Sequence, residues 1–310
     1  MRWPGGAIAT VYSADSPEGL RGPEHHAAWC DELAKWQRGE AAWDNLMMTM
    51  RLGKQPQVMV TTTPRSTALM RRVMALPRLH QTTGRTGDNV HLPAAFIETM
   101  TESYGGTALG RQELDGEMIE TVAGALWTRA MIEDCRIAAA PVLVRVVVGV
   151  DPPAGVGGDA CGIVAAGLDA AGAGHVIEDA SVTGATPEGW ARAVAGCAAR
   201  HGADRVVAEA NQGGEMVRSV LHAADTGLPV RLVHASRGKV ARAEPVAALY
   251  EAGRVRHAGV FPMLEDELCG LAVGGGYEGS GRSPDRADAL VWALNELMLG
   301  RRVRAGVRAI

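Results

Sequence analysis

Lysine is nearly absent from this 310-residue chain: Lys35, Lys54 and Lys239 are the only three. The basic side chains are almost all arginine, which suits phosphate contacts, although a coding bias toward arginine explains the count as simply. A surplus of positive charge is missing too. The formal net charge is −4, which weighs against a passive nucleic-acid-coating protein. It weighs little against a nuclease, whose metal site must be acidic. Cysteine is sparse and scattered: Cys30, Cys135, Cys161, Cys197 and Cys269 form no CxxC pair, so neither a zinc site nor a disulfide framework is suggested. Each reads as a small apolar core residue. There is no secretory signal and no apolar run long enough to span a bilayer, so the cytosol is the expected compartment. Apolar content of 47% and charged content of 21% fit a soluble globular protein of one large or two modest domains.

The most informative stretch that is present is Val144 to Asp151, Val-Arg-Val-Val-Val-Gly-Val-Asp. Its β-branched residues predict a buried strand. Pro152 and Pro153 follow and stop it. A carboxylate at the end of a central strand is held on rigid backbone yet faces open space, where a metal ligand would sit.

Upstream, residues 1–76 predict pieces of an α/β domain. Gly5-Gly6 suggests a hairpin turn with a strand over Ala7 to Tyr12. His26 to Glu32 is a short apolar run closed by Asp31-Glu32, either a strand ending in two acids or a helix start favoured by the dipole. Trp43, Leu46, Met47 and Met50 have helical spacing and belong to a core. Gln57 to Pro64 predicts a strand ending in Thr61, Thr62 and Thr63, which suit capping of a helix over Ser66 to Ala75. Residues 77–140, broken by prolines and glycines, predict a lid or connector with helices over Pro93 to Met100 and Ala108 to Ile119. Ala138 to Pro141 marks a domain boundary.

From residue 141 the pattern predicts strands over 144–151, 159–167 and 175–183, with glycines over 155–158 turning the first into the second. A helix capped by Thr186 with Pro187 in its first position runs to His201. A short strand, Asp204 to Glu209, again ends in a carboxylate. Helices over 215–224 and 241–252, a strand over 230–234 and a last helix from Ser283-Pro-Asp285 complete the domain.

Three acids close elements of this domain: Asp151, Glu209 and Asp288. Phosphodiester hydrolysis needs an in-line water and neutralisation of developing charge, and two divalent ions supply both. Mg²⁺ takes a few carboxylates plus water. Asp285 precedes Asp288 by three residues, so both project from one helix face. Each acid singly reads as a capping or loop residue; together, at these element ends, they read as a metal site. Asp159 is a weaker candidate, in a turn. Arg237, Lys239 and Arg242 lie before or at the start of a helix and are candidate DNA phosphate contacts, with a solvated face as the default.

The runs Tyr12 to Trp36, Val60 to Pro64, Val148 to Pro152, Val207 to Asn211 and Ser283 to Trp292 together resemble the large terminase subunits, the DNA-packaging motors of tailed phages and gene transfer agents. The resemblance implies an α/β fold: a partial P-loop ATPase domain followed by an RNase H-like nuclease domain with a mixed central sheet flanked by helices. It implies Asp31 as the Mg²⁺-binding Walker B acid, Glu32 as the catalytic acid of ATP hydrolysis, and Thr61, Thr62 and Thr63 as the coupling motif. Asp151, Glu209 and Asp288 would be nuclease metal ligands for two Mg²⁺ or Mn²⁺ ions, with Asp285 auxiliary. The implied work is cutting of concatemeric double-stranded DNA during packaging. The implied partners are DNA, a portal protein, a small terminase subunit and a procapsid, in a ring homo-oligomer in the host cytoplasm, with no membrane.

The sequence contains no Gly-x-x-x-x-Gly-Lys-Ser/Thr loop. This predicts a chain lacking the front of its ATPase domain, through truncation, a split gene or a mis-called start, with ATP binding only if another piece supplies the loop. Two alternatives stand beside the nuclease: a non-catalytic remnant that docks on the portal or a partner subunit, and another RNase H-like enzyme of the resolvase or transposase class. The latter would need neither Asp31-Glu32 nor the threonines.

Overall fold

The structure, a computed structural model, describes residues 1–300 apart from 120, 121, 123, 154–159, 212, 237, 274, 275 and 280–282. The chain divides into two compact units, Met1–Glu120 and Thr121–Ile310. The division falls before the alanine–proline stretch at 138–141 because Trp127, Ile132 and Cys135 are buried in the core of the second unit. No helix among the described residues is long and apolar enough to cross a membrane.

In the first unit, β1 (Ala27–Asp31) precedes α1 (Gly39–Thr49) and pairs in parallel with β2 (Gln57–Thr61). Next come α2 (Ala68–Met74), α3 (Ala94–Tyr104) and α4 (Ala108–Glu113). Cys30, Leu33, Trp43, Leu46, Leu69 and Val73 form the core. α1 ends at Thr49, one residue short of Met50, the last position of its apolar spacing. The Thr49 hydroxyl donates to the Leu46 carbonyl at 2.6 Å, and the chain turns through Gly53 at a φ of +76°. The helix after β2 is capped by Thr67, whose hydroxyl accepts from Met70 N at 3.1 Å, and not by the threonines at the strand end. Near the N-terminus only the bridge between Arg2 and Ile8 forms, in place of a strand over 7–12.

The second unit opens with α5 (Arg129–Asp134) and β3 (Arg136–Ile137). The chain then forms β4 (Leu143–Asp151), β5 (Ala160–Asp169), β6 (Gly174–Asp179) and β7 (Val182–Thr183). α6 (Pro187–His201), β8 (Arg205–Glu209), α7 (Glu215–Ala224), β9 (Val230–Val233) and α8 (Lys239–Glu251) follow. The last elements are β10 (Val255–Ala258), α9 (Pro262–Cys269), the small pair β11 (Leu271–Ala272) and β12 (Gly276–Tyr277), and α10 (Asp285–Leu294), which runs into a π turn over Asn295–Leu299. The main sheet runs β3-β10-β6-β5-β4-β8-β9, with β7 on β5. β5 is antiparallel to both β4 and β6, while β8, β9, β10 and β3 pair in parallel. This is the mixed sheet flanked by helices that the sequence predicts. The glycine turn at 155–158 and Asp159 lie outside the described residues.

Alternation along the strands decides what each helix layer sees. Val148 and Val150 join the core under α6 and α7, while Val147 joins the core under α8, α9 and α10. Side chains two apart share a face, so Gly149 and Asp151 look toward α10 as Val147 does. In β8, Val206 and Ala208 face α6 and α7, so Val207 and Glu209 face the other way. β5 adds Gly162, in register with Asp151. α10 lies directly on this glycine-lined surface. A Cβ on Gly149 would overlap the Ala289 carbonyl, and one on Gly162 would overlap the Asp285 carbonyl. Ala287, Ala289, Leu290, Val291, Ala293 and Leu294 of α10 have no exposed surface.

Candidate metal centre

Asp151 and Glu209 close adjacent parallel strands, just beyond the Val150–Ala208 register pair. Asp285 and Asp288 occupy the first turn of α10 and are only 9% and 3% exposed. Two basic side chains of α8 tie the four acids together. Lys239 Nζ lies 3.7 Å from Asp151 Oδ2 and 4.0 Å from Asp285 Oδ1, and it ion-pairs closely with Asp288 Oδ2. It also donates to Ser283 Oγ at 2.9 Å. One Arg242 nitrogen lies 3.0 Å from Asp288 Oδ1 and 3.4 Å from Glu209 Oε2. The site is thus built by the C-terminal ends of β4 and β8, the N-terminus of α10 and the N-terminal half of α8.

Burial pushes the Asp151 carboxyl well above the usual range, and the charge of Asp288 adds to this; Lys239 opposes it, while Glu209 and Asp285 raise it further. For Lys239, burial acts to lower the ammonium's pKa, but Asp288, Asp151 and Asp285 outweigh burial and hold it above its ordinary value. Four carboxylates facing two basic groups leave negative charge to be matched, and the donors are all hard oxygens, the set that Mg²⁺ and Mn²⁺ take. The residues therefore fit a divalent cation. Their oxygens are not drawn into one tight group. Among the described residues, the only such group with all ligand atoms within 4.8 Å is Glu178, Cys197 and His201, elsewhere on the sheet.

In the first unit Asp31 and Thr61 are register partners at the ends of β1 and β2. The Thr61 hydroxyl donates to Asp31 Oδ1 at 2.8 Å, and it accepts from Trp29 Nε1 at 3.0 Å. Thr62 Oγ1 accepts from Ala34 N at 3.0 Å, anchoring the turn after β1, and the Thr62 hydroxyl donates to the Thr63 carbonyl. Glu32 sits in the left-handed region (φ 50°, ψ 47°), the only non-glycine residue at positive φ among the described residues. Such a conformation costs of order 1–3 kcal/mol and persists where surroundings impose it. Its carboxylate lies 3.3 Å from Lys35 Nζ. The apolar run before Asp31 is a strand, not a helix start.

Residues 148–297 match the family model of the terminase RNaseH-like domain, and residues 1–134 match that of the N-terminal domain of the T4likevirus-type terminase large subunit. The chain is built of terminase large-subunit domains. The expectation of an N-terminally truncated chain is not supported, because the N-terminal terminase domain is matched from residue 1 onward. Among solved structures, the large terminase nuclease of thermophilic phage G20c is similar at 17% identity, covering 56% of this chain and 98% of that one with a TM-score of 0.43. The large terminase of a second thermophilic bacteriophage is similar at 12% identity, covering 90% and 72% with a TM-score of 0.46. That of bacteriophage HK97 is similar at 15% identity, covering 89% and 71% with a TM-score of 0.41. The G20c nuclease has also been solved with cobalt and with magnesium bound. No curated protein matches the sequence.

Within the RNaseH-like domain the structure brings together Asp151, Glu209, Asp285, Asp288, Lys239 and Arg242. Both Lys239 and Arg242 turn into the acids, Arg242 mostly buried and Lys239 half-exposed: α8 begins at Lys239, two residues earlier than the apolar pattern predicts. Arg237 lies outside the described residues. Three participants are not assigned by the sequence reading. Trp292 donates from Nε1 to Glu209 Oε2 at 2.8 Å, and its ring lies 4.8 Å beneath the Arg242 guanidinium; its position one helical turn after Asp288 is the available signal. Ser283 holds Lys239. Glu267, on α9, accepts from the backbone nitrogens of Arg286 and Ala287 at 2.7 and 3.1 Å and so caps α10. Burial raises its carboxyl to about 7 against these hydrogen bonds. The sequence reading does not anticipate α9, so Glu267 carries no signal there.

Proposed function

We propose that the second unit is a metal-dependent endonuclease that cuts double-stranded DNA. The observation that carries this reading is the meeting of Asp151, Glu209 and Asp288 around the shared pair Lys239 and Arg242, on the α10 face of the β4–β8 pair. Asp151, Glu209, Asp285 and Asp288 would hold two Mg²⁺ or Mn²⁺ ions. Bound there, the ions would activate water and neutralise charge on the scissile phosphate. The protein's own part is positional. Trp292 fixes one Glu209 oxygen and leaves the other to a cation. Arg242 is clamped between Trp292, Glu209 and Asp288 and keeps two acids in place. Lys239, on a flexible stem and 40% exposed, is placed to leave the carboxylates and meet a DNA phosphate.

In the first unit we assign Asp31 to Mg²⁺ through water, Glu32 to the polarisation of an attacking water, and Thr61, Thr62 and Thr63 to coupling of nucleotide state to DNA movement. The hydrogen bond from Thr61 to Asp31 supports a link between these groups. The whole-protein role that follows is cutting of concatemeric DNA during packaging. It would act in the host cytoplasm, in a ring, with a portal, a small terminase subunit and a procapsid as partners.

The test is plasmid nicking by the purified chain with Mg²⁺, Mn²⁺ or EDTA, beside Asp151→Asn and Glu209→Gln. Metal-dependent nicking lost by a hundredfold or more in both folded variants supports the nuclease. Folded wild-type protein that fails to nick with either metal overturns it and favours a docking-only role.

A further inference from the structure

We propose a second cation site, for a zinc-class divalent ion, formed by Glu178, Cys197 and His201 on the face of the sheet opposite Asp151. Cys197 and His201 lie four residues apart on α6, so both face the same way. Glu178 reaches them through a β-bulge. The β5–β6 register slips so that Ala165 pairs with Glu178 while Ala166 pairs with Val176. Bulges re-aim side chains, and here Glu178 shares the face of Ala165, which packs in the α6 core. The three ligand atoms all lie within 4.8 Å of one another.

Their arrangement converges on one oxygen. Glu178 Oε2 lies 2.6 Å from His201 Nε2 and 3.8 Å from Cys197 Sγ. Tetrahedral zinc with bonds of about 2.0 Å to nitrogen and oxygen and about 2.3 Å to sulfur separates its ligand atoms by about 3.3–3.6 Å. Seating an ion therefore needs the imidazole to withdraw by under about 1 Å, and the thiol already stands near the required distance. Arg200 contacts the same carboxylate, its Nη2 at 2.5 Å from Oε1 and its Nε at 3.3 Å from Oε2. With a cation on Oε2, the bond to Oε1 remains as the outer contact that orients a ligating carboxylate.

Chemistry separates this site from the acidic one. Sulfur and imidazole select zinc, cobalt or cadmium, whereas an all-oxygen set suits magnesium or manganese. A thiolate and a carboxylate balance a divalent charge, which matters because Cys197 is fully buried. A cation held there takes the place of the thiol proton. The three protein ligands leave a fourth position for water. The bound ion would pin the end of α6 to β6.

The experiment is optical titration of the full chain with Co²⁺ in excess Mg²⁺, with zinc-dependent thermal melting in parallel. The expected result is a sulfur-to-cobalt charge-transfer band and a melting temperature that rises with Zn²⁺. Both should be retained in Asp151→Asn. The band should be lost in Cys197→Ser, and Co²⁺ should bind at least tenfold more weakly to His201→Gln, a half-buried position that guards against misfolding of the cysteine variant. No band in folded wild-type protein, or a band that persists unchanged in both variants, would overturn the site. The readout does not use nuclease activity, so it stands or falls apart from the function proposed for the acids.

Discussion

Asp151 and Gly162 are register partners across β4 and β5, and the absent side chain of the second places the partners of the first. Because Gly162 presents bare backbone, α10 settles onto the sheet where a Cβ would strike the Asp285 carbonyl. Asp285 and Asp288 are thereby delivered to the end of β4. Gly149, two residues before Asp151, does the same for Ala289 and Ala293.

Substituting alanine at Gly162 should therefore damage both stability and the site. The clash is with backbone, which cannot rotate away, and overpacking of this kind costs about 1–3 kcal/mol or more. Differential scanning calorimetry of Gly162→Ala and Gly149→Ala should show melting temperatures several degrees below wild type, with weakened Mn²⁺ binding in Gly162→Ala. Wild-type melting in both variants would mean that α10 does not seat on these glycines.

The elevated Asp151 carboxyl makes cation binding proton-linked. Burial and the neighbouring acids raise it, so the apo site retains a proton there at pH values where an ordinary aspartate has lost it. A cation must displace that proton. Mn²⁺ affinity should rise with pH across the acid-to-neutral range, and calorimetry in two buffers of different ionisation enthalpy should reveal proton release. In Asp151→Asn the proton release should shrink. Equal heats in both buffers would count against Asp151 as the linked group.

Much of this site is legible in the sequence alone. Asp151 and Glu209 announce themselves by closing β-branched runs, and Asp285 and Asp288 by their place in the first turn of an amphipathic helix. The parity of β4 and β8 is also present: odd-numbered positions put Gly149, Asp151, Val207 and Glu209 on one face. The basic half is not legible. Whether Lys239 faces water or acid depends on where α8 starts, and its N-cap, Gly238, has no side chain to fix that start. Glu267 and the α9 network depend on contacts far apart in sequence. Cys197 reads as a plain core cysteine because its partner Glu178 is aimed by a bulge, which no local pattern marks.

Lys239 competes with the cation it faces. Its ammonium contacts Asp151, Asp285 and Asp288, so an incoming ion must displace it. Lys239→Met keeps the apolar stem and removes the charge. The variant should bind Mn²⁺ several-fold more tightly by calorimetry, yet nick plasmid more slowly because a phosphate contact is gone. Weaker Mn²⁺ binding in Lys239→Met would show that the lysine supports the cation site instead of occupying it.

Away from the site, Glu265 is expected to set the acid limit of the second unit. It has no exposed surface. It accepts from His257 Nδ1 at 3.2 Å, Phe261 N at 3.1 Å and both terminal nitrogens of Arg136 at 3.0 and 3.1 Å. Burial alone would raise its carboxyl, but His257 and Arg136 outweigh burial and lower it to about 2 from an ordinary 4.5. A depressed carboxylate contributes stability that is fully present above the unfolded value and is lost as pH falls toward the folded one. At roughly 1.4 kcal/mol per unit this amounts to on the order of 3 kcal/mol, lost between about pH 5 and pH 2. Urea midpoints for the wild type should fall steeply over that window. In Glu265→Gln, which lacks the titrating group, the curve should start lower and run flatter. Parallel curves for the two proteins would place the acid sensitivity elsewhere.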